Sequence, residues 1–381
     1  MVLDFERLYR CKTNFRNGIE VEASENDLAD SWKGSVLPMQ IERCDYLIIG
    51  GGAAGCALGY LLRKAGADVL ILERLDAEKK DKLCAGMISN WCREEIVKIF
   101  GAEAWLSLDA EPITFTKEYF GGHEVTFKED AFHTMPRKSL DDYFLRRYLE
   151  VGGQIKDLAT VRKINTETNL AECLDLRTKK FFHIRFGNLI GADGATSTVR
   201  KLITGKKPRI SFAVESVIPL IGKDIIFDFL PDGSVGYRWY IPRRQDATVG
   251  AVYFFSHTNP NADYVKSCRE WLSDFCRSRS ISLTQPLRGA CLPAGNDVLL
   301  RAGEKIYFIG DAAGLIGTPS GAGIPYALRS ARKLAESFLG GISYKEAMQH
   351  IKEKIIHESV NARTFQFLTN FRIIKQGRQV E

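Results

Sequence analysis

A chain of 381 residues, 45% hydrophobic and 26% charged, exceeds one compact core, so two domains are expected and wholesale disorder is excluded. The net charge of +6 suits an anionic cofactor or membrane surface, but no concentrated basic face marks a nucleic-acid partner. Nine cysteines, odd in number and without a CxxC pair, argue against a disulfide framework or a metal site and for a cytoplasmic setting. No apolar run reaches the roughly 18 residues of a membrane span, and the amino terminus lacks the basic-then-apolar order of a secretory signal.

Residues 1–38 are polar and mixed in charge, and Met39 stands just before the first strong strand. An N-terminal extension is expected there, with a helix packed on the body as the rival reading. Asp45-Tyr-Leu-Ile-Ile-Gly50 is an apolar run of the kind buried in a parallel sheet, Cys56–Ala65 reads as a helix, and Asp68–Glu73 reads as a second buried strand. Residues 106–135 are strand-rich and aromatic. A helix is predicted over Ser139–Val151, with Ser139 as its N-cap, Asp141 and Asp142 in its first turn, and Leu140, Phe144 and Tyr148 at helical spacing. Strands return at 155–165 and 181–192, and from 208 to 257 apolar and polar residues alternate as in a half-buried sheet. Ile306–Gly310 is a third buried strand, a helix runs through Leu339, and the tail from Tyr344 to about Lys375 is helical.

Three segments carry chemistry. Gly50-Gly-Gly-Ala53-Ala54-Gly55 follows a buried strand and opens a helix, the context in which G-x-G-x-x-G binds a dinucleotide. Gly50 permits the tight turn, Gly52 admits a pyrophosphate, and Gly55 lets helix and strand pack, while Glu73 at the end of strand two suits the ribose hydroxyls. Leu189-Ile-Gly-Ala-Asp193-Gly, continuing to Arg200, and Phe308-Ile-Gly310-Asp311-Ala-Ala-Gly314 are two more apolar strands running into Asp-bearing turns. Each aspartate alone reads as a turn or cap residue. Together and in this order they read as the clamp of an extended FAD, with Asp311 on the ribitol. The loop through Gly321, Ala322 and Gly323 then starts a helix at Ile324 whose amides face the flavin's pyrimidine edge.

This trio resembles the flavoprotein superfamily of aromatic hydroxylases, flavin-dependent halogenases and geranylgeranyl reductases. The resemblance covers residue 39 to about 345. It implies an α/β fold in which a Rossmann-like FAD-binding domain (39–105, 136–205 and 290–343) carries an inserted, mostly antiparallel β-sheet substrate domain (106–135 and 206–289), followed by a helical tail (344–381). No second Rossmann unit for nicotinamide is found. Lys82-Leu-Cys84-Ala-Gly86 resembles the Pro-x-x-Cys-Gly-Gly element of the geranylgeranyl reductase branch, which implies a catalytic neighbourhood at Cys84 and Gly86. Gly236-Tyr237-Arg-Trp239-Tyr-Ile-Pro242 is similar to its Tyr-x-Trp-x-Phe-Pro motif, which implies a substrate pocket at Tyr237, Trp239 and Pro242. The bland readings are sheet packing for the aromatics and a small buried hydrophobe for Cys84. Arg137 matches the Arg-x-x-x-Asp helix entry where an arginine approaches the cofactor, and Arg74 and Val161 join the implied contacts.

The sequence departs from the pattern at Ala85, at Thr318 and at Ile241. The implied activity is FAD-dependent reduction of carbon–carbon double bonds in a small apolar or lipid substrate, isoprenoid-like, with NADPH or NADH as donor. The rivals are a monooxygenase of the aromatic hydroxylase type and an electron-carrying or regulatory flavoprotein; halogenation lacks a placeable lysine. No metal cluster is found, and His133 or His257, near the inserted sheet, is at most a proton donor. Phe365, Phe367, Leu368 and Phe371 among Arg363, Arg372 and Lys375 make the tail either a peripheral membrane contact or a helix packed on the body.

Overall fold

The computed structural model describes residues 41–128, 131–230, 235–254, 264–318 and 320–377; the expected N-terminal extension, His257 and Pro319 lie outside them. The chain opens with β1 (Ile41–Ile49), α1 (Ala53–Lys64) and β2 (Val69–Leu72). It crosses to β3 (Met87–Ser89), α2 (Asn90–Phe100), α3 (Ala102–Ser107) and β4 (Glu111–Pro112). A hairpin of β5 (Phe115–Phe120) and β6 (His123–Lys128) follows, and β7 (Phe132–Thr134) pairs with β3 and β4 as a small sheet. Then come α4 (Arg137–Glu150), β8 (Gln154–Lys156), β9 (Ala159–Asn165), β10 (Leu170–Asp175), β11 (Phe181–Gly191) and α5 (Thr198–Thr204). A second run holds β12 (Ile210–Pro219), β13 (Ile225–Phe229), β14 (Val235–Pro242), β15 (Asp246–Phe254), α6 (Tyr264–Ser278) and β16 (Arg288–Pro293). The chain ends with β17 (Arg301–Ala302), β18 (Ile306–Phe308), a 3₁₀ turn at Gly310–Ala313, α7 (Ile324–Phe338), α8 (Tyr344–Val360) and α9 (Ala362–Gly377).

The first sheet runs β8-β2-β1-β11-β18 in parallel, with β17 antiparallel at its edge. That order makes chain direction diverge from β1, on one side to β2 and on the other to β11. A parallel sheet opens its ligand crevice where such a switch occurs, at the carboxyl ends of the two strands. Here Ile49 lies beside Gly191, and the Ala192 N–H donates to the Ile49 carbonyl at 2.8 Å. The predicted βαβ start is therefore placed at the switch, and β2 is buried throughout because helices cover both faces.

The second sheet runs β16-β12-β15-β14-β13-β5-β6 and is antiparallel except between β13 and β5. Period-two alternation gives it two faces. Val214, Tyr240, Val249 and Ala251 pack on Cys268, Leu272 and Phe275 of α6. Ala213, Trp239, Ile241, Val252 and Phe254 look the other way, toward Ile316 and Ala362.

Several expectations need correction. The helix predicted from Ser139 begins at Arg137, with Pro136 at the N-cap and no side-chain cap. Asp141 serves Arg137, one turn earlier, through a 3.0 Å ion pair, so Ser139 lies inside the first turn. Helices α2, α3 and α6 and strand β10 were not anticipated, and the helical tail is broken at Asn361. Its last helix packs on β5 and β6, with Ile373 fully buried and Arg372 over the Phe127 ring at 4.8 Å and paired with Glu118.

The unanticipated α2 anchors α7, the helix that leaves the flavin loop. Glu95, with no exposed side-chain surface, accepts from Arg329 at 2.8 Å and Arg332 at 2.9 Å, and Arg329 also covers Trp91. Burial pushes the Glu95 carboxyl up, but the two arginines outweigh it and hold its pKa below the ordinary 4.5. A depressed folded pKa contributes stability that is present above 4.5 and lost as pH falls through the folded value. Glu95→Gln should cost about 3 kcal/mol at pH 7, and the gap to wild type should narrow below pH ~4.5, read by urea unfolding across pH.

Candidate functional site

Gly50 has φ +110°, and a Cβ there would lie 2.4 Å from the Ala192 carbonyl oxygen; at Gly55 it would lie 1.9 Å from the Gly50 carbonyl oxygen. Both glycines are demanded by backbone alone. Gly52 differs, because a Cβ there meets nothing within 4 Å. Helix α1 starts at this open spot with no side-chain cap and no acid in its first turn, so its amides are left to an anion. Ala53 and Ala54 add no bulk, and Ala54 Cβ lies 3.1 Å from where Gly310 would carry a Cβ, which closes α1 on the 3₁₀ turn.

Glu73 sits at the end of β2 with its carboxylate fixed by backbone: Gly51 N–H and Leu75 N–H each donate to it at 2.9 Å. Lys80, which the sequence reading missed, is buried beside it, donates to the Gly51 carbonyl and lies 3.7 Å from the Glu73 carboxylate. Arg74 is exposed, and Val161 is enclosed in the core of the first layer. Val161 therefore offers no side-chain surface, and what it presents to a cofactor is backbone.

Across the crevice, Asp311 pairs with Lys82 at 2.8 Å and lies 3.3 Å from where Gly323 would carry a Cβ. Gly321 has φ +72°, Ala322 bridges back to Gly317, and α7 opens at Ile324 with neither a side-chain cap nor an acid in its first turn. Burial opposes the charge of Arg137, but Asp141, with Cys84 and Asp311 nearby, holds its pKa above the ordinary value. The guanidinium therefore stays charged between the Cys84 segment and the Asp311 turn.

The Asp193 carboxylate accepts from Ser197 Oγ at 2.5 Å and from the Thr198 and Val199 N–H groups at 2.6 and 3.1 Å. It ties the entry of α5, as the cap reading holds.

The segment from Lys80 to Gly86 laces the two sheets. Asp81 pairs with Arg288 of β16 at 2.6 Å, the Cys84 N–H bonds Glu215 of β12, and Thr248 of β15 donates to the Ala85 carbonyl at 3.1 Å. Gly86 has φ +86°, and a Cβ there would lie 2.5 Å from the Met135 carbonyl oxygen. Gly86 is thus a backbone requirement, which corrects its placement among catalytic groups. Cys84 is half-buried and within electrostatic reach of Arg137 and Tyr237.

Tyr237 and Trp239 stand on the same face of β14, ring centroids 6.0 Å apart. The Tyr237 hydroxyl donates to the Ser320 carbonyl at 2.8 Å, so this wall touches the flavin loop, and burial raises the pKa of that hydroxyl. Trp239 lies flat over Gly250, where a Cβ would come within 2.1 Å of the indole. Pro242, one residue out of phase, shares Tyr240's face toward α6, which corrects its assignment to the pocket. His133 meets Trp105 edge-on, on the small sheet. Glu215, unremarked in the sequence, is an acid on the aromatic face; burial pushes its pKa up to about 7 against Arg243, Arg288 and the Cys84 N–H.

These residues fit an extended FAD: an open glycine cradle, two uncapped helix N-termini, and Lys82 and Arg137 between them. Residues 43–224 match the FAD binding domain family. The menaquinone reductase of Mycolicibacterium smegmatis is 24% identical over 324 residues, covering 78% of this chain and 77% of that protein. Digeranylgeranylglycerophospholipid reductase 1 of Methanopyrus kandleri is 24% identical over 303 residues, covering 77% and 79%. A solved geranylgeranyl bacteriochlorophyll reductase-like protein of Thermoplasma acidophilum shares the fold at TM-score 0.68 and 17% identity, covering 87% of this chain and 88% of the other.

The glycines separate fold from cofactor. Gly55→Ala should destabilise the FAD-free protein by about 2 kcal/mol or more, from the backbone clash. Gly52→Ala should leave its stability within about 0.5 kcal/mol. It should nonetheless weaken FAD binding tenfold or more, about 1.4 kcal/mol, in a flavin fluorescence titration.

Proposed function

We propose that this FAD-dependent oxidoreductase works as the geranylgeranyl reductases it resembles do, reducing carbon–carbon double bonds in an apolar, isoprenoid-like substrate. The observation that carries the proposal is the wall of Tyr237, Trp239, Ile241, Val252 and Phe254, apolar side chains set between the Cys84 segment and the flavin loop. Such a wall matches a hydrocarbon chain and offers little to an ionised one. The two relatives at 24% identity are named as reductases of menaquinone and of a geranylgeranyl lipid, which agrees with that chemistry.

Bound FAD in its reduced form supplies a hydride. The glycine turn and the α1 amides would hold the pyrophosphate of FAD, Glu73 would accept from its ribose, and Asp311 would accept from its ribitol. The α7 amides, free of any side-chain cap, would favour negative charge at the pyrimidine edge. Arg137 adds a buried positive charge beside the Cys84 segment. Tyr237 and Trp239 exclude water and align the alkene. A nicotinamide donor, NADPH or NADH, would recharge the flavin.

The substrate reaches the protein from a lipid surface through α9. Among the described residues no helix is long and apolar enough to cross a membrane. Yet α9 buries Gln366, Asn370 and Ile373 while Phe367, Leu368 and Phe371 are 66%, 55% and 56% exposed. Such a row suits the headgroup boundary of a bilayer.

Two measurements test the reading. Anaerobically reduced holoenzyme mixed with geranylgeranyl diphosphate should yield products heavier by pairs of hydrogens as the flavin reoxidises, and Trp239→Ala should slow this about tenfold or more with FAD retained. Oxygen consumed in step with product would move the assignment to a monooxygenase. In vesicle flotation with anionic lipid, the triple change Phe367→Ser, Leu368→Ser, Phe371→Ser should abolish most binding while leaving the flavin spectrum unaltered.

A further inference from the structure

Glu215 lies on the aromatic face of the second sheet, which also carries Glu118 of β5, and its strand neighbours on that face are Ser211 and Ala213. The register places it opposite Gly250, which is itself opposite Trp239. Glu215, Gly250 and Trp239 thus form one row, and because Gly250 has no side chain, the indole lies across it toward β12. Both flanking side chains are 4% exposed. One oxygen of the carboxyl, Oε2, and the indole Nε1 are each buried without a hydrogen-bond partner. A buried acceptor and a buried donor left over in one row are costly unless the site uses them.

The surroundings keep this carboxyl in reserve. The Cys84 N–H bonds it from the crossing segment, which fixes the side chain at the edge of the proposed substrate wall. The charged groups around it are Arg243, paired with Asp246 at 2.5 Å, and Arg288, paired with Asp81 at 2.6 Å. Each arginine is already matched to an acid, so neither is committed to ionising Glu215. Burial accordingly wins, and the group titrates near 7. Asp81 and Arg288 are both partly exposed, which gives the carboxyl a polar route to solvent on the side away from the aromatic wall.

We propose that Glu215 is the proton donor of this site. The inference rests on the alkene-reductase reading. The π bond of the substrate breaks, one carbon takes a hydride from reduced FAD, and the adjacent carbon takes the Glu215 proton. The O–H bonding pair stays on the carboxylate, which is reprotonated from solvent past Asp81, and FAD is left oxidised for a two-electron donor to recharge. Such a donor is most effective when its pKa lies near the working pH.

The test uses the full chain with FAD bound and compares wild type with Glu215→Gln, which keeps volume and the Cys84 hydrogen bond. Infrared titration of wild type should show a protonated buried carboxyl that disappears near pH 7 and is missing from Glu215→Gln. The flavin midpoint potential plotted against pH should bend at that same pH in wild type and lose the bend in the variant. With geranylgeranyl diphosphate and reduced flavin, product formation should fall about 100-fold or more in Glu215→Gln, with unchanged KM. A carboxyl titrating in the ordinary range, or superimposable potential–pH curves, overturns the proposal. If wild type makes no reduced product while the infrared and potential results appear, the substrate reading fails and the titrating group in the flavin site stands.

Discussion

The structure depends on one stretch of backbone, residues 80–86, being tied at both sides. Lys80 is fixed to the glycine turn and Glu73, Lys82 to Asp311, and Gly86 to Met135, all on the first layer or its border. Asp81, Cys84 and Ala85 are fixed to Arg288, Glu215 and Thr248 on the second sheet. Lys80 and Lys82 reach the first layer while the Asp81 side chain and the backbone of Cys84 and Ala85 reach the second sheet, so a single short strap addresses both layers at once. The distance between the glycine turn and the aromatic wall is therefore set by covalent geometry and a few buried hydrogen bonds. Reaction between a cofactor and an apolar chain requires such fixed spacing, because a small displacement between reacting atoms is expensive in rate.

The strap also explains which departures from the family pattern are tolerated. Ala85 stands where a glycine is usual, yet its φ is not positive and its methyl packs against the second sheet's inner cluster. Gly86 has no such latitude, since its positive φ and the Met135 carbonyl exclude any side chain. Ile241 shares its face with Trp239 and is buried there, so a branched aliphatic fills the place of an aromatic ring without opening the wall.

Legibility followed the range of the interactions. The glycine turn, β1, β2 and the Asp311 turn were readable because each is dictated by local backbone geometry and by a strand buried on both faces. Asp193 was ambiguous because a residue that ties a turn and one that binds a ligand leave the same short motif; the turn contacts to Ser197, Thr198 and Val199 come into view only in the structure. Pro242 was misplaced by following the motif past the alternation that governs Tyr237 and Trp239. Helix α6 carries Cys268, Leu272, Phe275 and Cys276 at helical spacing, a signal present in the sequence and overlooked beside the strands around it. Lys80 acquires meaning only through the Gly51 carbonyl, far away in the chain, and no local pattern announces it.

Glu215 had a faint local signal, a lone acid in the apolar strand Phe212-Ala-Val-Glu-Ser-Val-Ile. An ionisable residue in such a strand conflicts with burial, and conflicts between local rule and position concentrate at working sites. The rest of the molecule is arranged to hold charge where it is used. Lys80 and Lys82 are matched to Glu73 and Asp311, Arg137 to Asp141, and Arg200 to Asp297. Against that background of paired ions, a carboxyl whose neighbouring arginines are matched to other acids stands apart. Pairing fixes the charges around the glycine cradle, and withholding a pair leaves one carboxyl without a dedicated partner at the aromatic wall.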